Sequence, residues 1–233
     1  MQYRILLWDI DGTVLNFLEA EKNAIRALFG KYSLGECTDA MLRVYSGINR
    51  SYWEKLERGE MTKEAILVER FRDFFSRYGL DSSCAFRFNR DYQTALGDTI
   101  VFNDDAFSLL SSLKPYYYQA AVTNGTKTAQ EKKLRFSGLA EIFDGIFISE
   151  DVGFEKPSIQ YFDFVKSRIP GFSEKEALII GDSLTSDILG GNNAGIDTCW
   201  YNPGRKINDH KVNVTFEITD LRELRNILLP EPT

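Results

Sequence analysis

The chain has 233 residues, 43% hydrophobic and 27% charged, which predicts a globular protein with one large domain or one domain carrying an insert. Its net charge of −6 gives no general attraction to nucleic acid or to an anionic membrane, so we expect neither as a partner. The three dispersed cysteines and the absence of a signal-peptide pattern or a membrane-length apolar run favour a cytoplasmic location.

The first predicted element is a short apolar strand, Ile5–Leu7, followed by Trp8-Asp9-Ile10-Asp11-Gly12-Thr13. Carboxylates this close raise each other's pKa unless a cation or a proton intervenes. One interpretation is an ordinary Asp-Gly turn. The other is phosphoryl transfer, in which Asp9 attacks phosphorus and Asp11 protonates the leaving oxygen and later deprotonates the attacking water.

Residues 16–97 contain helical patterns without a convincing strand, and we expect them to form an inserted all-α domain. The predicted helical segments are Phe17–Tyr32, Met41–Tyr45, Trp53–Leu56, Ala65–Phe75 and Phe86–Leu96. Gly47, Gly59 and Gly79 are candidate breaks between them, and Thr62 is a candidate N-cap.

Residues 98–233 alternate strands with helices, which predicts a parallel sheet with helices on both faces, a Rossmann-like α/β core completed by residues 1–15. Its further predicted strands are Tyr117–Thr123, Gly145–Ser149, Ala177–Gly181, Asp197–Tyr201 and, more weakly, Val212–Phe216. Its predicted helices are Asp104–Lys114, Thr126–Ser137, Ser158–Arg168, Ser186–Ala194 and Leu221–Leu228. We expect Pro230–Thr233 to be a frayed tail.

Polar side chains follow four of these strands, at the edge where ligands bind on an open parallel sheet. They are Asp9 and Asp11, then Thr123, Asn124 and Gly125, then Lys156, and finally Asp182 and Asp187. Singly, Thr123 is also explained as an N-cap, Lys156 as a surface lysine and the last two aspartates as turn and helix-start charges. Their common placement at strand ends favours one shared site.

This set of residues suits a phosphate monoester. The carboxylates of Asp9 and Asp182, with the backbone carbonyl of Asp11, can hold Mg²⁺. The Thr123 hydroxyl and the backbone amides of Asn124 and Gly125 can donate to phosphoryl oxygens. The Lys156 ammonium can stabilise the negative charge of the transition state.

The four motifs resemble those of the haloacid dehalogenase superfamily of phosphohydrolases and occur in the same order. They are Asp9-x-Asp11-Gly12-Thr13, Thr123-Asn124-Gly125, Lys156-Pro157 and Gly181-Asp182 with Asp187 five residues beyond Asp182. The resemblance covers essentially the whole chain, and the helical insert matches the family's α-helical cap. It implies Asp9 as nucleophile, Asp11 as acid/base, Thr123 and Lys156 as phosphate ligands and Asp182 as a metal ligand. Asp187 would reach the metal indirectly or through water.

Longer stretches resemble the bacterial pyrimidine 5′-nucleotidase branch of that superfamily. They include Trp53 followed by Gly59–Thr62, Val122–Gly125, Ser149–Gly153, Gly181–Ser183, Asp187–Gly191, Asn193–Gly195 and Thr198–Trp200. The resemblance implies a Mg²⁺-dependent phosphatase that acts on nucleoside monophosphates through an aspartyl-phosphate. We expect a monomer or a weak homodimer.

Three other functions compete with this interpretation. Dehalogenation needs neither a metal nor a general acid such as Asp11, so the second aspartate disfavours it. A sugar-phosphate phosphatase or a phosphomutase would keep both aspartates, and Arg43, Arg50 and Lys55 could form the second phosphate site that a mutase needs. A regulatory protein without turnover would be expected to carry a broken motif, and every motif here is intact.

Substrate choice is expected to depend on the cap, which covers the site and excludes water. Phe17, Tyr45, Tyr52 and Trp53 could each stack on a nucleobase, although aromatic residues are also typical of the cap's own core. Tyr52 and Trp53 are neighbours on a predicted helix, so they cannot face the same way. We expect at least one of the four to line the substrate pocket.

Overall fold

The computed structural model describes residues 2–228 and contains two compact units. The α/β unit consists of Met1–Asn16 and Val101–Thr233, and the helical unit consists of Phe17–Ile100. The sequence predicted boundaries before residues 16 and 98, whereas the structure has them before Phe17 and Val101. The expected tail, Pro230–Thr233, lies outside the described residues.

The α/β unit contains a parallel six-stranded sheet, which confirms the predicted fold class. Its strands are β1 (Ile5–Trp8), β2 (Tyr118–Thr123), β3 (Gly145–Ile148), β4 (Ala177–Gly181), β5 (Asp197–Tyr201) and β6 (Phe216–Ile218). The strand order is β3-β2-β1-β4-β5-β6. Trp8 lies opposite Ala121 on one side and Ile180 on the other, so the carboxyl ends of β1, β2 and β4 are neighbours.

The central strands are buried along their whole length, since both sheet faces are covered. This burial explains why β1 and β4 appear in the sequence as unbroken apolar runs. The weak strand prediction Val212–Phe216 was wrong, because β6 begins at Phe216. The preceding residues bond to β5 through a side chain instead: the Thr198 hydroxyl donates to the Asn213 carbonyl and accepts from the Thr215 amide, both at 3.1 Å.

The helical unit contains α1 (Phe17–Lys31), α2 (Asp39–Glu57), α3 (Lys63–Arg77) and α4 (Ala85–Ala95). The Thr62 hydroxyl accepts from the Ala65 amide at 3.3 Å, which confirms the predicted N-cap of α3. The predicted break at Gly47 was wrong, since α2 runs through it. A glycine inside a helix costs only about 1 kcal/mol, and buried residues on both sides of Gly47 hold α2 against its neighbours.

The core of the helical unit is an aromatic cluster. Its side chains are almost completely buried: Phe29, Tyr45, Phe71, Phe74, Phe75, Phe88 and Tyr92. Tyr45 is 0% exposed and stacks on Phe71 with ring centroids 5.0 Å apart. The expectation that Tyr45 contacts substrate is therefore corrected, because this side chain has no exposed surface. Phe17, Tyr52 and Trp53 are partly exposed.

The helices of the α/β unit are α5 (Ala106–Leu113), α6 (Lys127–Ser137), α7 (Ser149–Val152), α8 (Ile159–Arg168), α9 (Leu189–Ala194) and α10 (Leu224–Leu228). A π-helical turn, Leu184–Ile188, leads into α9, so the predicted helix Ser186–Ala194 begins earlier and in a wider geometry. The predicted helix Leu221–Leu228 begins as a 3-10 turn. In the described part of the chain, every helix is too short or too polar to span a bilayer.

Candidate active site

The predicted site residues of the α/β unit gather at the carboxyl ends of the central strands. Asp9 directly follows β1, Thr123 ends β2 and Asp182 directly follows β4. Lys156 lies in the loop between α7 and α8, and Asp187 lies in the π-helical turn. Since β1 lies between β2 and β4, residues distant in sequence meet around Asp9.

Three of these aspartates form an acidic group. Asp9, Asp182 and Asp187 each offer a carboxylate oxygen, and the three oxygens lie within 4.8 Å of one another. Burial and then the charge of Asp187 raise the pKa of Asp182 to about 7. Burial and the charge of Asp187 also hold the pKa of Asp9 well above its usual range, although Lys156 acts in the opposite direction. Such carboxylates are suited to a bound hard cation, which would offset their repulsion.

Gly12 makes the close approach of Asp182 possible. Its φ is +100°, a conformation that other residues rarely adopt. A β-carbon at this position would lie 2.8 Å from both carboxylate oxygens of Asp182. Position 12 is therefore glycine for two reasons: the positive φ and the lack of space for a side chain beside Asp182.

Lys156 is 1% exposed and uses its ammonium on three acceptors. Its Nζ lies 2.8 Å from Asp9 Oδ1, 2.6 Å from Asp187 Oδ1 and 2.7 Å from the Val122 carbonyl oxygen. Burial alone would lower the pKa of this lysine, but the carboxylates of Asp187 and Asp9 outweigh burial and raise it. Lys156 is therefore a buried cation aimed at Asp9.

Asn124 and Asp187 hold Lys156 in place. The Asn124 side chain donates to the Lys156 carbonyl and accepts from the Lys156 amide, both at 2.8 Å. The second oxygen of Asp187 accepts from the Ser183 amide at 3.1 Å. Asp187 thus contacts Lys156 directly, a partnership that the sequence did not predict.

The backbone amides of the Thr123-Asn124-Gly125 turn were expected to face a phosphate. In this structure the Gly125 amide donates to the Thr123 hydroxyl at 3.1 Å. Thr123 is 1% exposed, and Asn124 is also buried. A phosphoryl oxygen bound by the Gly125 amide would have to replace this internal hydrogen bond.

Three further residues of the site were given no role by the sequence analysis. The Thr13 hydroxyl donates to Asp9 Oδ2 at 3.1 Å. Gln130 Nε2 donates to Asp11 Oδ2 at 2.6 Å, and Lys133 Nζ lies 2.5 Å from Asp11 Oδ1. A usable signal was the spacing of positions 130 and 133, which puts both on one face of the helix after the Thr123-Asn124-Gly125 turn. The Asp11 side chain thus pairs with α6 and lies outside the acidic group.

The haloacid dehalogenase-like hydrolase family matches residues 6–201. The HAD-hydrolase YfnB of Bacillus subtilis is 43% identical over 232 residues, covering 100% of this chain and 98% of that protein. The crystal structure of YfnB bound to magnesium has a TM-score of 0.92 at 41% identity, covering 99% of this chain and 100% of that chain.

Two relatives with named substrates also match over nearly their whole length. The pyrimidine 5′-nucleotidase PynA of Streptococcus pneumoniae is 36% identical, covering 98% of this chain and 96% of that protein. The pyrimidine 5′-nucleotidase YjjG of Escherichia coli is 27% identical, covering 98% of this chain and 99% of that protein. The chain therefore belongs to the haloacid dehalogenase-like hydrolases, as its four motifs indicated, and it is an enzyme of their phosphoric monoester hydrolase class.

Proposed function

We propose that this enzyme is a Mg²⁺-dependent nucleoside 5′-monophosphatase that works through an aspartyl-phosphate on Asp9. The observation that carries the proposal is the environment of Asp9. One carboxylate oxygen accepts from buried Lys156 at 2.8 Å and the other from Thr13 at 3.1 Å, so the carboxylate is held in one orientation. A nucleophile held in this way begins close to its reacting geometry.

The acidic group fits a magnesium ion, because its carboxylates lie together and the pKa values of Asp9 and Asp182 are raised where no cation offsets them. Asp9 and Asp182 would hold the ion with the backbone carbonyl of Asp11, and Asp187 would act mainly through Lys156. When bound, Mg²⁺ would neutralise the carboxylates and polarise the phosphoryl group.

The chain's own residues then divide the reaction into two steps. In the first, an Asp9 oxygen bonds to phosphorus while the ester P–O bond breaks, and Asp11 gives its proton to the leaving oxygen. In the second, Asp11 takes a proton from water, the water oxygen attacks phosphorus, and the bond to Asp9 breaks. Lys156 and Thr123 stabilise the phosphoryl oxygens in both steps.

We further propose that the helical unit selects the substrate. Phe17, Tyr52 and Trp53 are partly exposed there, and an exposed aromatic ring can stack on a base. The two full-length relatives named as pyrimidine 5′-nucleotidases support a pyrimidine nucleoside monophosphate as the small-molecule substrate. Single Ala variants at these three positions should raise KM for the nucleotide in at least one case. An unchanged KM in all three would remove the aromatic contacts from the proposal.

The deciding experiment measures phosphate release from UMP, dUMP, dTMP, AMP, glucose 1-phosphate and glucose 6-phosphate, with Mg²⁺ and then with excess EDTA. We expect metal-dependent turnover that favours the pyrimidine nucleotides and is abolished by Asp9→Asn. Turnover of the sugar phosphates alone would overturn the nucleotidase assignment while keeping the phosphatase chemistry. Full activity in EDTA would overturn the magnesium assignment, and full activity of Asp9→Asn would overturn the nucleophile.

A further inference from the structure

The side chain of Asp11 is gripped by two residues of α6. Gln130 Nε2 lies 2.6 Å from Asp11 Oδ2, and Lys133 Nζ lies 2.5 Å from Asp11 Oδ1. Gln130 is 0% exposed and Lys133 is 1% exposed, whereas the Asp11 side chain is 20% exposed. Two buried donors thus converge on a carboxylate that itself remains open on one side.

The surrounding structure is adapted to this contact. The N-cap of α6, Thr126, places Gln130 and Lys133 one turn apart on the same face of the helix. Gln130 reaches Asp11 by crossing Gly125, where a β-carbon would lie only 2.1 Å from Gln130 Nε2. Because Gly125 has no side chain, the space beside it is available to the Gln130 side chain.

The contact is not explained well by stability alone. Gln130 Oε1 is buried and has no hydrogen-bond partner among the described residues, and an unmet acceptor of this kind is unfavourable. The ion pair of Lys133 with Asp11 is also weak evidence for stabilisation, because burying the Lys133 charge offsets its attraction to the partly exposed carboxylate. Both unfavourable features belong to side chains that donate to the Asp11 carboxylate.

We propose that Gln130 and Lys133 are positioning residues that set the orientation of the Asp11 carboxyl group for proton transfer. Each carboxylate oxygen has two lone pairs, so one bond from α6 leaves a lone pair on each oxygen for the transferred proton. With both oxygens held, the carboxyl plane is defined, and the proton is delivered along one direction. This inference rests on the proposed role of Asp11 as acid and base.

The variants that test it are Gln130→Leu and Lys133→Met, which keep size and remove the donor. Lys133→Arg keeps a donor and should restore much of the lost activity. Lys132→Met, one residue earlier on α6 and on a different face, is the matched control and should stay within about twofold of the parent. Asp11→Asn defines the behaviour of an enzyme without its acid and base.

Two substrates separate positioning from general damage. The preferred nucleotide has an alkoxide leaving group that needs a proton, whereas 2,4-dinitrophenyl phosphate releases a stable anion. With the nucleotide, kcat should fall roughly ten- to a hundredfold in Gln130→Leu and Lys133→Met, with KM within about twofold. This loss is smaller than the roughly hundred- to ten-thousandfold that general acid–base catalysis contributes, because Asp11 itself is still present. With enzyme in excess over the dinitrophenyl ester, dinitrophenolate release should stay within about threefold of the parent, while phosphate release slows about tenfold or more because the second step still needs Asp11.

Either of two results would overturn the proposal: equal slowing of the first step with both substrates, or an unchanged kcat in both variants, whether or not KM changes. If Asp11→Asn slows the first step equally with the nucleotide and with the dinitrophenyl ester, the proposed acid/base role of Asp11 fails. If Asp11→Asn slows only the nucleotide reaction but the α6 variants slow both equally, only the positioning role fails. Thermal unfolding verifies the fold of each variant, and if Lys133→Met does not fold, Gln130→Leu decides.

Discussion

The Lys156 ammonium and the Asp187 carboxylate form a buried ion pair, 2.6 Å apart, in which each side chain is 1% exposed. Each charge was removed from water and is compensated by its partner. Loss of one partner leaves the other charge buried without full compensation, which typically destabilises a protein by about 3 to 5 kcal/mol.

We therefore expect Lys156→Met to lower the free energy of unfolding by roughly 3 kcal/mol or more. Asp187→Asn should lower it by less, because Asp9 still lies 2.8 Å from the Lys156 ammonium. The double variant should lose less than the sum of the two, with a coupling of about 1 to 3 kcal/mol, because the second change removes a charge that the first left unpaired. Urea titrations of the four proteins measure this cycle. Strict additivity would show that the two side chains do not act as a pair.

Magnesium should stabilise the enzyme through Asp182. At a Mg²⁺ concentration a hundred times its Kd, the gain in unfolding free energy is about 2.7 kcal/mol. Because burial and the charge of Asp187 raise the pKa of Asp182 to about 7, protons compete with the metal, and the Mg²⁺-induced rise in Tm should be larger at pH 8 than at pH 6. Differential scanning fluorimetry measures both shifts.

Asp182→Asn should lose most of this Mg²⁺-induced shift. Asp163→Asn, an exposed position on α8, is the control and should keep it. A full shift in the Asp182 variant would place the magnesium site elsewhere.

The helical unit should become less stable as the pH rises, because of Glu21. This carboxylate is 2% exposed, and burial raises its pKa to about 7, although bonds from Ser46 and Asn49 act in the opposite direction. Since the folded state holds the proton more tightly than the unfolded state, stability is lost as the pH rises from the ordinary glutamate pKa of 4.5 to the raised pKa of about 7. The loss should be roughly 3 kcal/mol.

Glu21→Gln removes the titrating group, so the difference in unfolding free energy between variant and parent should change with pH over this window. Other acids cancel in that difference. Parallel pH profiles of the two proteins would mean that Glu21 keeps an ordinary pKa.

Gly181, the last residue of β4, should tolerate no side chain. A β-carbon there would lie 2.3 Å from the carboxyl carbon of Asp187 and displace the partner of Lys156. We expect Gly181→Ala to lower kcat by about tenfold or more, because a displaced Asp187 no longer holds Lys156 beside Asp9. The variant should also be destabilised by about 1 to 3 kcal/mol. Steady-state kinetics and urea unfolding measure the two effects.

Gly47→Ala is the matched control, since α2 runs through Gly47 and nothing lies within 4 Å of a β-carbon there. It should leave kcat unchanged and stabilise the protein by about 0.5 to 1 kcal/mol, because alanine favours the helix. A Gly181→Ala variant as active as this control would contradict the steric argument.

The sequence by itself determined strands β1 to β5 and the strand ends that carry Asp9, Thr123 and Asp182. Buried parallel strands need unbroken apolar runs, and chemistry on such a sheet needs polar residues where those runs stop. Both requirements are local in the chain, so the residues show them directly. Thr62 as an N-cap is predictable for the same reason.

Only the tertiary structure decided how distant side chains pair. The contacts of Asp11 with Gln130 and Lys133, and of Lys156 with Asp187, depend on strand order and helix rotation. Local spacing shows that positions 130 and 133 share a helix face, but not which carboxylate that face meets. Likewise, an aromatic residue such as Tyr45 suits a protein core and a binding surface equally well, and packing against Phe71 assigned it to the core. Residue type predicts what a side chain can do, and the folded neighbours determine which of those options is used.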